Sequence, residues 1–424
     1  MIDIKDKSQC CGCWACYNAC PKHCIEMIED EEGFRYPHVD KDKCIDCGLC
    51  EKVCPLQKPK MDDTLPESFV VQQKDTEVLR TSTSGGFFTA ISKWAIEQGG
   101  VVFGAAFGED MELRHSYAET LDGCKKFRGS KYVQSLIGDC YSQAKNFLAQ
   151  GRVVVFSGTP CQISGLYHFL RGRKYDNLVT VDLVCHGTPS PLLLRKYLAY
   201  HSAQIGSKPQ DYRSRDKFYG YNYSTASIWF SDSDKEYHKG KESDMMLRFY
   251  FENICSRPSC YQCHFKTINR VSDITIFDCW DAPSVSSEFS SKGATNVFIH
   301  TEHGASVFKE IKADFICHPS EINAIIKRDG IMIKNLVPVN PRRNKFFEDL
   351  NTMPLDEVER KYLDCSLKYK VLSKIKPFMF KIGVFSLYMK VKGAIYPSIN
   401  SLRNKVPLIC AATETIIPTA TITI

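Results

Sequence analysis

The sequence contains CCGCWACYNACP at residues 10–21 and CIDCGLCEKVCP at residues 44–55, and these two runs decide its organisation. Each run spaces four cysteines as C-x2-C-x2-C-x3-C, counting from Cys10 and from Cys44, and then places a proline. Three thiols at intervals of three wrap one tight loop, and the proline ends the short helix that carries the fourth. The fourth thiol of each run should therefore point away from its own loop, toward the group that the other run holds.

This spacing is that of bacterial ferredoxins, which hold a pair of [4Fe–4S] cubanes. Each cluster should take three cysteines from one run and the last cysteine of the other. The predicted ligands of the first cluster are Cys10, Cys13, Cys16 and Cys54. The predicted ligands of the second cluster are Cys44, Cys47, Cys50 and Cys20. Cys11 and Cys24 are left over, and we interpret them as small buried or partly exposed thiols.

Two other uses of these cysteines explain the runs less well. Disulfides form in oxidising compartments, whereas the sequence begins MIDIKDK without a signal peptide, so we expect a cytoplasmic protein. Zinc sites take two C-x2-C pairs, which would leave half of these cysteines unexplained. Between the runs, residues 25–28 and 33–37 read as a short hairpin that covers the clusters.

Length and composition indicate a multidomain globular protein. The chain has 424 residues, of which 43% are hydrophobic and 25% charged, and this favours two or three domains. Ten of its 21 cysteines fall in the first 54 residues, a clustering typical of metal sites in a reducing cytosol. The net charge is +6, and residues 366–405 carry nine Lys/Arg and no acid. Because these cations lie in one tail without a nucleic-acid-binding motif, no nucleic-acid partner is expected.

Three domains are expected along the chain. Residues 1–58 should form an α+β ferredoxin-like cluster domain, residues 68–345 an α/β domain with a mostly parallel sheet, and residues 346–424 a basic helical extension. Residues 57–67, QKPKMDDTLPE, read as a linker. The extension mixes apolar and basic residues, which is typical either of a helix packed on the body or of peripheral membrane contact. No uninterrupted apolar run reaches the length of a membrane span.

The centre of the chain twice repeats a strand, a turn and a helix. Residues 152–157 and 178–184 read as the two strands. A unit of this length joins parallel strands that are adjacent or nearly so. Cys161 and Cys185 should therefore lie beyond the carboxyl ends of two nearby strands, where open α/β sheets bind ligands.

A further group of cysteines follows these units. Cys255, Cys260 and Cys263 lie within nine residues around a turn. Together with Cys161 or Cys185 they would suit a third [4Fe–4S] cluster. A zinc knot and a metal-free group of structural or redox-active cysteines are the alternatives.

Two loops could hold an anion. Ser84, Gly85 and Gly86 precede a predicted helix, where free backbone N–H groups and the helix dipole attract negative charge. An ordinary capped helix explains the same residues equally well. Arg128 and Lys131 lie in a second short loop, which alone is a solvated turn but beside the first loop becomes a clamp for an anionic cofactor.

With these pieces assembled, the chain resembles the coenzyme F420 hydrogenase/dehydrogenase beta-subunit family over roughly residues 1–340. The motifs that carry the resemblance are Ser84-Gly85-Gly86, Gly129-Ser130-Lys131-Tyr132, Gly158-Thr159-Pro160-Cys161-Gln162, Cys185-His186-Gly187 and the turn from Cys255 to Cys263. Members are iron–sulfur flavoproteins, so the resemblance implies a flavin, FAD in preference to FMN, and an additional cluster on the central cysteines. The flavin contacts that it implies are Ser84, Gly85, Gly86, Lys131, Thr159 and Pro160.

The resulting hypothesis is an iron–sulfur flavoprotein oxidoreductase. It would pass electrons between a ferredoxin-type partner or domain and a substrate that the flavin reduces or oxidises, because flavin joins one-electron to two-electron chemistry. An electron-relay subunit of a larger redox complex is the second hypothesis, and a binding role with clusters as structural staples is the third. His186 is a candidate proton donor, although a structural role at its turn is the alternative. Asp278 and Asp281 could contact a cofactor or cap a turn.

Overall fold

The computed structural model of this chain describes residues 1–56, 65–385 and 387. It divides the chain into two compact units, Met1–Tyr369 and Lys370–Ile424. Most of the predicted linker, residues 57–64, lies outside the described residues, as does the end of the basic extension. The division into domains at residues 1–58, 68–345 and 346–424 stays a prediction.

The amino-terminal cysteine runs surround one hairpin and two short helices. β1 (Ile25–Glu29) pairs antiparallel with β2 (Arg35–Val39), which confirms the predicted hairpin. α1 (Ala15–Ala19) and α2 (Leu49–Lys52) each begin one residue before the third cysteine of a run. The runs therefore share one local structure, while the assignment of this module to the ferredoxin fold stays a prediction.

The two runs also share an unusual backbone conformation. Trp14 and Gly48 occupy the same motif position, and each precedes its helix with a left-handed backbone, φ 64° and 68°. A side chain in this region costs roughly 1–2 kcal/mol, a cost that the first run bears at Trp14 and the second run bears at Asp46, with φ 49°. The tight loop that wraps three thiols demands this conformation whichever residue occupies the position.

Further strands begin after the first undescribed stretch. They are β3 (Glu67–Gln73), β4 (Val101–Phe107), β5 (Leu113–Ala118), β6 (Val154–Gly158), β7 (Leu178–Leu183), β8 (Pro209–Asp216), β9 (Thr225–Phe230), β10 (Tyr237–Gly240), β11 (Ile274–Cys279), β12 (Ala294–Ile299) and β13 (Phe315–Pro319). Within the described residues, eight of them form a sheet in the order β13-β3-β12-β11-β7-β6-β4-β5. β8, β9 and β10 form a separate antiparallel sheet, which the sequence did not predict.

Parallel pairing is confined to the centre of the large sheet. β4, β6, β7 and β11 are parallel neighbours, whereas the pairings outside them are antiparallel. The predicted α/β class is confirmed, and the sheet is mixed. A short turn between successive strands gives an antiparallel pair, whereas parallel neighbours need a longer crossover. β4 and β5, for example, are joined by a turn of only five residues, 108–112.

Helices fill the connections between these strands. They are α3 (Thr76–Thr81), α4 (Phe87–Glu97), α5 (Leu121–Cys124), α6 (Cys140–Ala149), α7 (Pro160–Phe169), α8 (Pro191–Ile205), α9 (Met245–Phe251), α10 (Glu302–Ile311), α11 (Ile322–Arg328), α12 (Ile331–Lys334), α13 (Arg343–Thr352), α14 (Leu355–Tyr362) and α15 (Leu367–Lys381). Short 3-10 helices cover Lys7–Gln9, Lys125–Phe127, Pro258–Gln262, Ala282–Ser284 and Lys312–Asp314. α7 joins β6 to β7, which are adjacent and parallel as predicted.

One edge of the large sheet gathers the residues that the sequence singled out. β6, β7 and β11 end at this edge, and β12 begins there because Cys279 of β11 pairs with Ala294 of β12. β3 ends there too, since it runs antiparallel to β12. The turns after β6 and β7 and the loop before α4 therefore lie along one edge, and we call it the carboxyl edge.

The cluster module and the large sheet share an apolar core. Ala15 and Cys16 of α1 lie in the same buried cluster as Val154 of β6 and Ile163 and Leu166 of α7. Removing this surface from water stabilises the docked arrangement, in proportion to the apolar area buried. The first cysteine run is thus held against the carboxyl end of the sheet by hydrophobic packing.

Candidate redox site

The predicted ligands of the second cluster line one pocket. Cys20, Cys44, Cys47 and Cys50 surround about 340 Å³, part of which is open to solvent. Cys47 is exposed, whereas Cys20 and Cys50 are buried. Three thiols of one run and the last thiol of the other therefore meet at one place, as a [4Fe–4S] cluster of this type requires.

Backbone N–H groups also point at these sulfurs. The N–H of Ile2 donates to Cys50 Sγ at 3.2 Å, and that of Cys24 donates to Cys20 Sγ at 3.4 Å. Cys24, which has no role in the sequence motif, lines the same pocket with its thiol 3.4 Å from that of Cys20. Hydrogen bonds to ligand sulfurs help to set the reduction potential of a cluster, so these donors fit the group.

The predicted ligands of the first cluster are likewise close together. Burial raises the pKa of Cys16, and the neighbouring thiols of Cys10 and Cys54 raise that pKa further. Cys13 faces Cys16 and Cys54. Thiols grouped in this way become thiolates when a metal centre supplies compensating positive charge. The four residues therefore fit the first cluster.

Five cysteines line a second pocket, at the carboxyl edge of the sheet. They are Cys11, Cys161, Cys185, Cys260 and Cys263. This central pocket contains about 590 Å³ of space, part of it open to solvent. Burial raises the pKa of Cys185, and the thiols of Cys260 and Cys161 add to the effect. Burial and the thiol of Cys161 likewise raise the pKa of Cys263, to about 12.

Four of these thiols fit a third [4Fe–4S] cluster. They come from three turns, one after β6, one after β7 and one around the Pro258–Gln262 helix. The structure brings together both Cys161 and Cys185, where the sequence required only one of them. Among the described residues, no three His, Cys, Asp or Glu side chains are grouped as ligands of a single metal ion.

Cys255 is the predicted metal ligand that does not line the central pocket. It is fully buried in a different apolar core, with Leu194 of α8 and Leu247 of α9. The Pro258–Gln262 helix turns Cys260 and Cys263 toward the pocket but begins after Cys255. The four cysteines that the structure groups for a third cluster are therefore Cys161, Cys185, Cys260 and Cys263, without Cys255.

Cys11 connects the first cluster site to the central pocket. Its buried thiol interacts with those of Cys13 and Cys161. A glycine on α7 allows this approach, because a Cβ on Gly165 would lie 2.8 Å from Cys13 Cβ and 3.1 Å from its Sγ. The leftover thiol of the first run thus lies between two of the three cysteine groups.

Polar groups around the central pocket are bound by the protein itself. Lys266 Nζ donates to the carbonyls of Cys185, His186 and Met332 at 2.6, 3.3 and 2.9 Å. The ring of His186 lies 2.6 Å from Asn253 Oδ1, and burial lowers its pKa. The imidazole is therefore fixed beside the turn, which favours the structural alternative for His186 over proton donation.

Thr159 and Pro160 adjoin the central pocket. Thr159 caps α7 in a reciprocal pair with Gln162, whose Oε1 accepts from the Thr159 N–H at 2.9 Å. Thr159 Oγ1 is 3.2 Å from Cys161 Sγ, and Pro160 lines the pocket. Any group that contacts these two residues would therefore be next to the third set of thiols.

The loop of Ser84, Gly85 and Gly86 is fixed to the carboxyl edge. Ser84 Oγ donates to the carbonyl of Ala294 at 2.6 Å, and the N–H of Gly85 donates to Thr295 Oγ1 at 2.8 Å. A Cβ on Gly85 would lie 2.6 Å from backbone atoms of β3 and of β12, so this close approach requires glycine. The loop is placed where the sequence predicted an anion site, and its contact with a flavin stays a prediction.

Lys131 is partly buried and is bound by its own loop. Its Nζ donates to the carbonyls of Phe127, Arg128 and Gly129 at 3.1, 2.9 and 3.3 Å. Burial lowers the pKa of Lys131 to about 7. The N–H of Ser130 donates to Thr83 Oγ1 at 2.9 Å, so the two predicted anion loops are neighbours.

A second partly buried lysine, beside the same loop, was missed by the sequence analysis. Lys217 Nζ donates to the carbonyls of Leu79 and Ser84 at 2.7 and 2.9 Å. Burial lowers the pKa of Lys217 to about 8. The signal was the alternation of Arg213, Arg215 and Lys217 around β8, which is the spacing of one face of a strand.

Asp278 is a partner of Arg215 rather than a turn cap. The buried Arg215 and the partly exposed Asp278 form an ion pair, and Tyr221 donates to Asp278 Oδ1 at 3.2 Å. The Arg215 guanidinium lies 4.2 Å from the ring centre of Trp280. Asp281, by contrast, precedes the Ala282–Ser284 helix without a side-chain cap. Aromatic and charged groups thus border the carboxyl edge on the side away from Cys161.

Comparison with known families decides the class of the main domain. Residues 151–324 match the family described as the C terminus of the coenzyme F420 hydrogenase/dehydrogenase beta subunit. These residues belong to that family. The beta-subunit domain carries Cys161, Cys185, Cys260 and Cys263. Residues 9–58 match the family described as a 4Fe-4S dicluster domain, which contains all the predicted ligands of the first two clusters.

Together the two matches make this chain an iron–sulfur electron-transfer protein of the oxidoreductase type. Among solved structures it is similar to one described as a xenon derivatization of the F420-reducing [NiFe] hydrogenase complex from Methanosarcina barkeri. The identity is 18%, over 71% of this chain and 94% of that chain, with a TM-score of 0.40. No curated protein matches the chain.

The basic extension is described only in part. α15 carries Pro377 within it, and the residues after 387 lie outside the described part of the chain. In the part that is described, no helix combines the length and apolar character that a membrane crossing needs. Peripheral membrane contact through this extension and a cytoplasmic location stay predictions.

Proposed function

We propose that this chain is an iron–sulfur flavoprotein oxidoreductase, which passes electrons between a redox partner and a substrate oxidised or reduced at a flavin. The central pocket carries the proposal, because four thiols from three separate turns meet there at the carboxyl edge of the sheet. Flavin would supply hydride exchange on one side and single-electron exchange on the other. FAD is preferred to FMN on the family resemblance.

The thiol groups support a direction from outside to inside. The second cluster site includes the exposed Cys47, the first is buried against α7, and the central pocket adjoins the first through Cys11. If electrons pass through all three clusters, the clusters must lie in series between the partner and the substrate. The order second, first, third follows from which site meets solvent and which meets the sheet.

The two neighbouring anion loops support a flavin site. The amines of Lys131 and Lys217 are held by carbonyl groups, and burial lowers the pKa of both. A phosphate or other anion bound beside them would favour their charged forms and would offset that burial. Ser84, Gly85, Gly86, Thr159 and Pro160 complete the proposed contacts along the same edge.

Cofactor content tests this proposal. The chain purified without oxygen should contain about twelve irons, as expected for three cubanes, together with one flavin. About eight irons without flavin would contradict the flavoenzyme and leave the dicluster domain on a body of other function. Cys365→Ser is a suitable control, because Cys365 is a partly exposed cysteine outside all three groups.

Turnover separates the enzyme from the relay subunit. An enzyme should oxidise or reduce a two-electron substrate in the steady state with a one-electron dye as the other reactant. A relay subunit would exchange electrons with the dye but would turn over no two-electron substrate, including reduced deazaflavin. Both outcomes are read with the same purified chain and the same dye.

A further inference from the structure

Arg257 is a buried cation between two cysteine groups. Its side chain is 1% exposed, and it lies in the turn that carries Cys260 and Cys263. From there it reaches the first cysteine run, where Nη2 is 3.5 Å from Cys10 Sγ and Nε donates to the Cys10 carbonyl at 2.7 Å. One side chain therefore links the third group of thiols to a ligand of the first cluster.

The other partners of Arg257 are neutral. Nη1 donates to Gln134 Oε1 at 2.7 Å and Nη2 to the carbonyl of Arg35 at 2.9 Å. The guanidinium lies 4.2 Å from the ring centre of Tyr36. Among the described residues, its polar partners are thus two carbonyls, one amide oxygen and one thiol, and none of them is a carboxylate.

A buried charge without a counter-charge is strongly unfavourable. Arg343 in the same region shows the ordinary solution, a pair of hydrogen bonds to the carboxylate of Glu32. For Arg257 the group that can supply negative charge is the thiolate of Cys10, whose Sγ lies 3.5 Å from Nη2. A cubane with four thiolate ligands is an anion and would supply this charge.

We propose that Arg257 tunes the first cluster, raising its reduction potential by a permanent buried charge and a hydrogen bond to the Cys10 thiolate. Net charge and hydrogen bonds to sulfur are two of the factors that set such potentials. A positive charge stabilises the more negative, reduced form. The first cluster is then a better acceptor than its ligands alone would make it, and it holds the electron at the junction with the central pocket.

A redox titration followed by electron paramagnetic resonance tests this role. In Arg257→Gln the reduction potential of the first cluster should fall. We expect the equilibrium constant for its reduction to drop about tenfold, which corresponds to about 59 mV for one electron. Arg257→Lys keeps the charge and should shift the potential less. The signal of the first cluster is assigned by its loss in Cys16→Ser.

Gln134→Glu tests the tuning role while keeping the side chain of Arg257 in place. The new carboxylate would face Nη1 of Arg257, neutralise its field, and lower the potential of the first cluster in the same direction. Lys52→Gln removes an exposed cation from the same module and should leave the potential nearly unchanged, because water and salt screen exposed charges.

The proposal rests on the presence of a cluster at Cys10, and iron content separates that question from the question of tuning by Arg257. If the wild-type chain held no iron on the first run, the proposed first cluster would not exist. Full iron with unchanged potentials in both Arg257→Gln and Gln134→Glu would overturn the tuning role alone. Loss of the first cluster from both variants would show that Arg257 only stabilises the site, and this result would also overturn the tuning role.

Discussion

The two cysteine runs have the same spacing and the same local backbone but opposite surroundings. In the second run Cys47 is exposed, beside the exposed side chains of Ile45 and Asp46. In the first run Cys13 and Cys16 are each 7% exposed, enclosed by α7 and by the turn of Arg257. The motif fixes which thiols hold a cluster, while the packing against each run fixes what that cluster can reach.

This difference gives the module a direction. An exposed cluster can exchange electrons with a partner protein, whereas an enclosed one can exchange them only with neighbours inside the chain. The central pocket is the neighbour that the first run meets, through Cys11 and Cys161. Changes at the buried run, at the exposed run and in the pocket beyond should therefore have separable effects.

The largest effect on iron content is expected in the central pocket, which adjoins the buried first run. Cys260→Ser should lose about four irons, one cubane, while the irons of the two amino-terminal clusters remain. The reason is that Cys260 lines the central pocket and no other cysteine group. Iron and sulfide analysis measures the loss, with Cys255→Ser as the matched control that should keep its iron. An unchanged iron content in Cys260→Ser would contradict a third cluster in the central pocket.

The contact between the buried run and α7 is the next target. Gly165→Val should cost about 1–3 kcal/mol of stability, the usual range for overpacking a core. The added Cβ would lie 2.8 Å from Cys13 Cβ and 2.9 Å from Tyr141 Oη. Thermal unfolding measures this, together with iron content. Ala149→Val, which introduces the same side chain at an exposed position of α6, is the control, and equal unfolding of the two variants would contradict the enclosed first run.

Chelation should distinguish the two runs in the unmodified protein. An iron chelator should remove about four irons, those of the second cluster, before the others. Exposure of Cys47 gives the chelator access, whereas none of the four ligands of the first cluster is exposed. Iron release is followed by the absorbance of the chelate, and one uniform phase of release would argue that the two sites are equally accessible.

A smaller effect concerns the partly buried lysine of the anion loops. Because the folded pKa of Lys131 is about 7, below its ordinary value of 10.5, the unfolded chain binds more protons between these values. Stability should therefore rise with pH from about 7 to 10.5, by at most about 1.4 kcal/mol per pH unit. Lys131→Met should remove the part of this rise that Lys131 contributes, and the part that remains above about pH 8 belongs to Lys217; denaturant unfolding of the flavin-free chain measures both. Lys309→Met, at an exposed position, should keep the whole rise, and parallel curves for all three proteins would contradict a buried neutral amine.

The grouping of the cysteines of the two runs could be predicted from the sequence because their spacing is local, and their role as cluster ligands stays a prediction. The sequence also located Cys161 and Cys185, since the strand and helix periods around them are clear and β6 and β7 pair as expected. It could not show that Cys255 lies in a separate apolar core, because the 3-10 helix that turns Cys260 and Cys263 toward the pocket begins after it. It could not find the role of Arg257, whose contact with Cys10 joins residues 247 positions apart. The antiparallel flanks of the sheet were missed for a similar reason, since no local period specifies β12 or β13.

The central claim is that electrons pass through the buried run on their way between partner and flavin. Stopped-flow mixing of flavin-loaded Cys16→Ser with a reduced ferredoxin tests it most directly, after analysis shows that flavin and the third cluster are retained. The account predicts that flavin reduction in Cys16→Ser slows to the rate seen without ferredoxin, while Cys365→Ser reduces its flavin as the wild type does. Flavin reduction at the wild-type rate in Cys16→Ser would contradict it, because electrons would then reach the flavin without the first cluster.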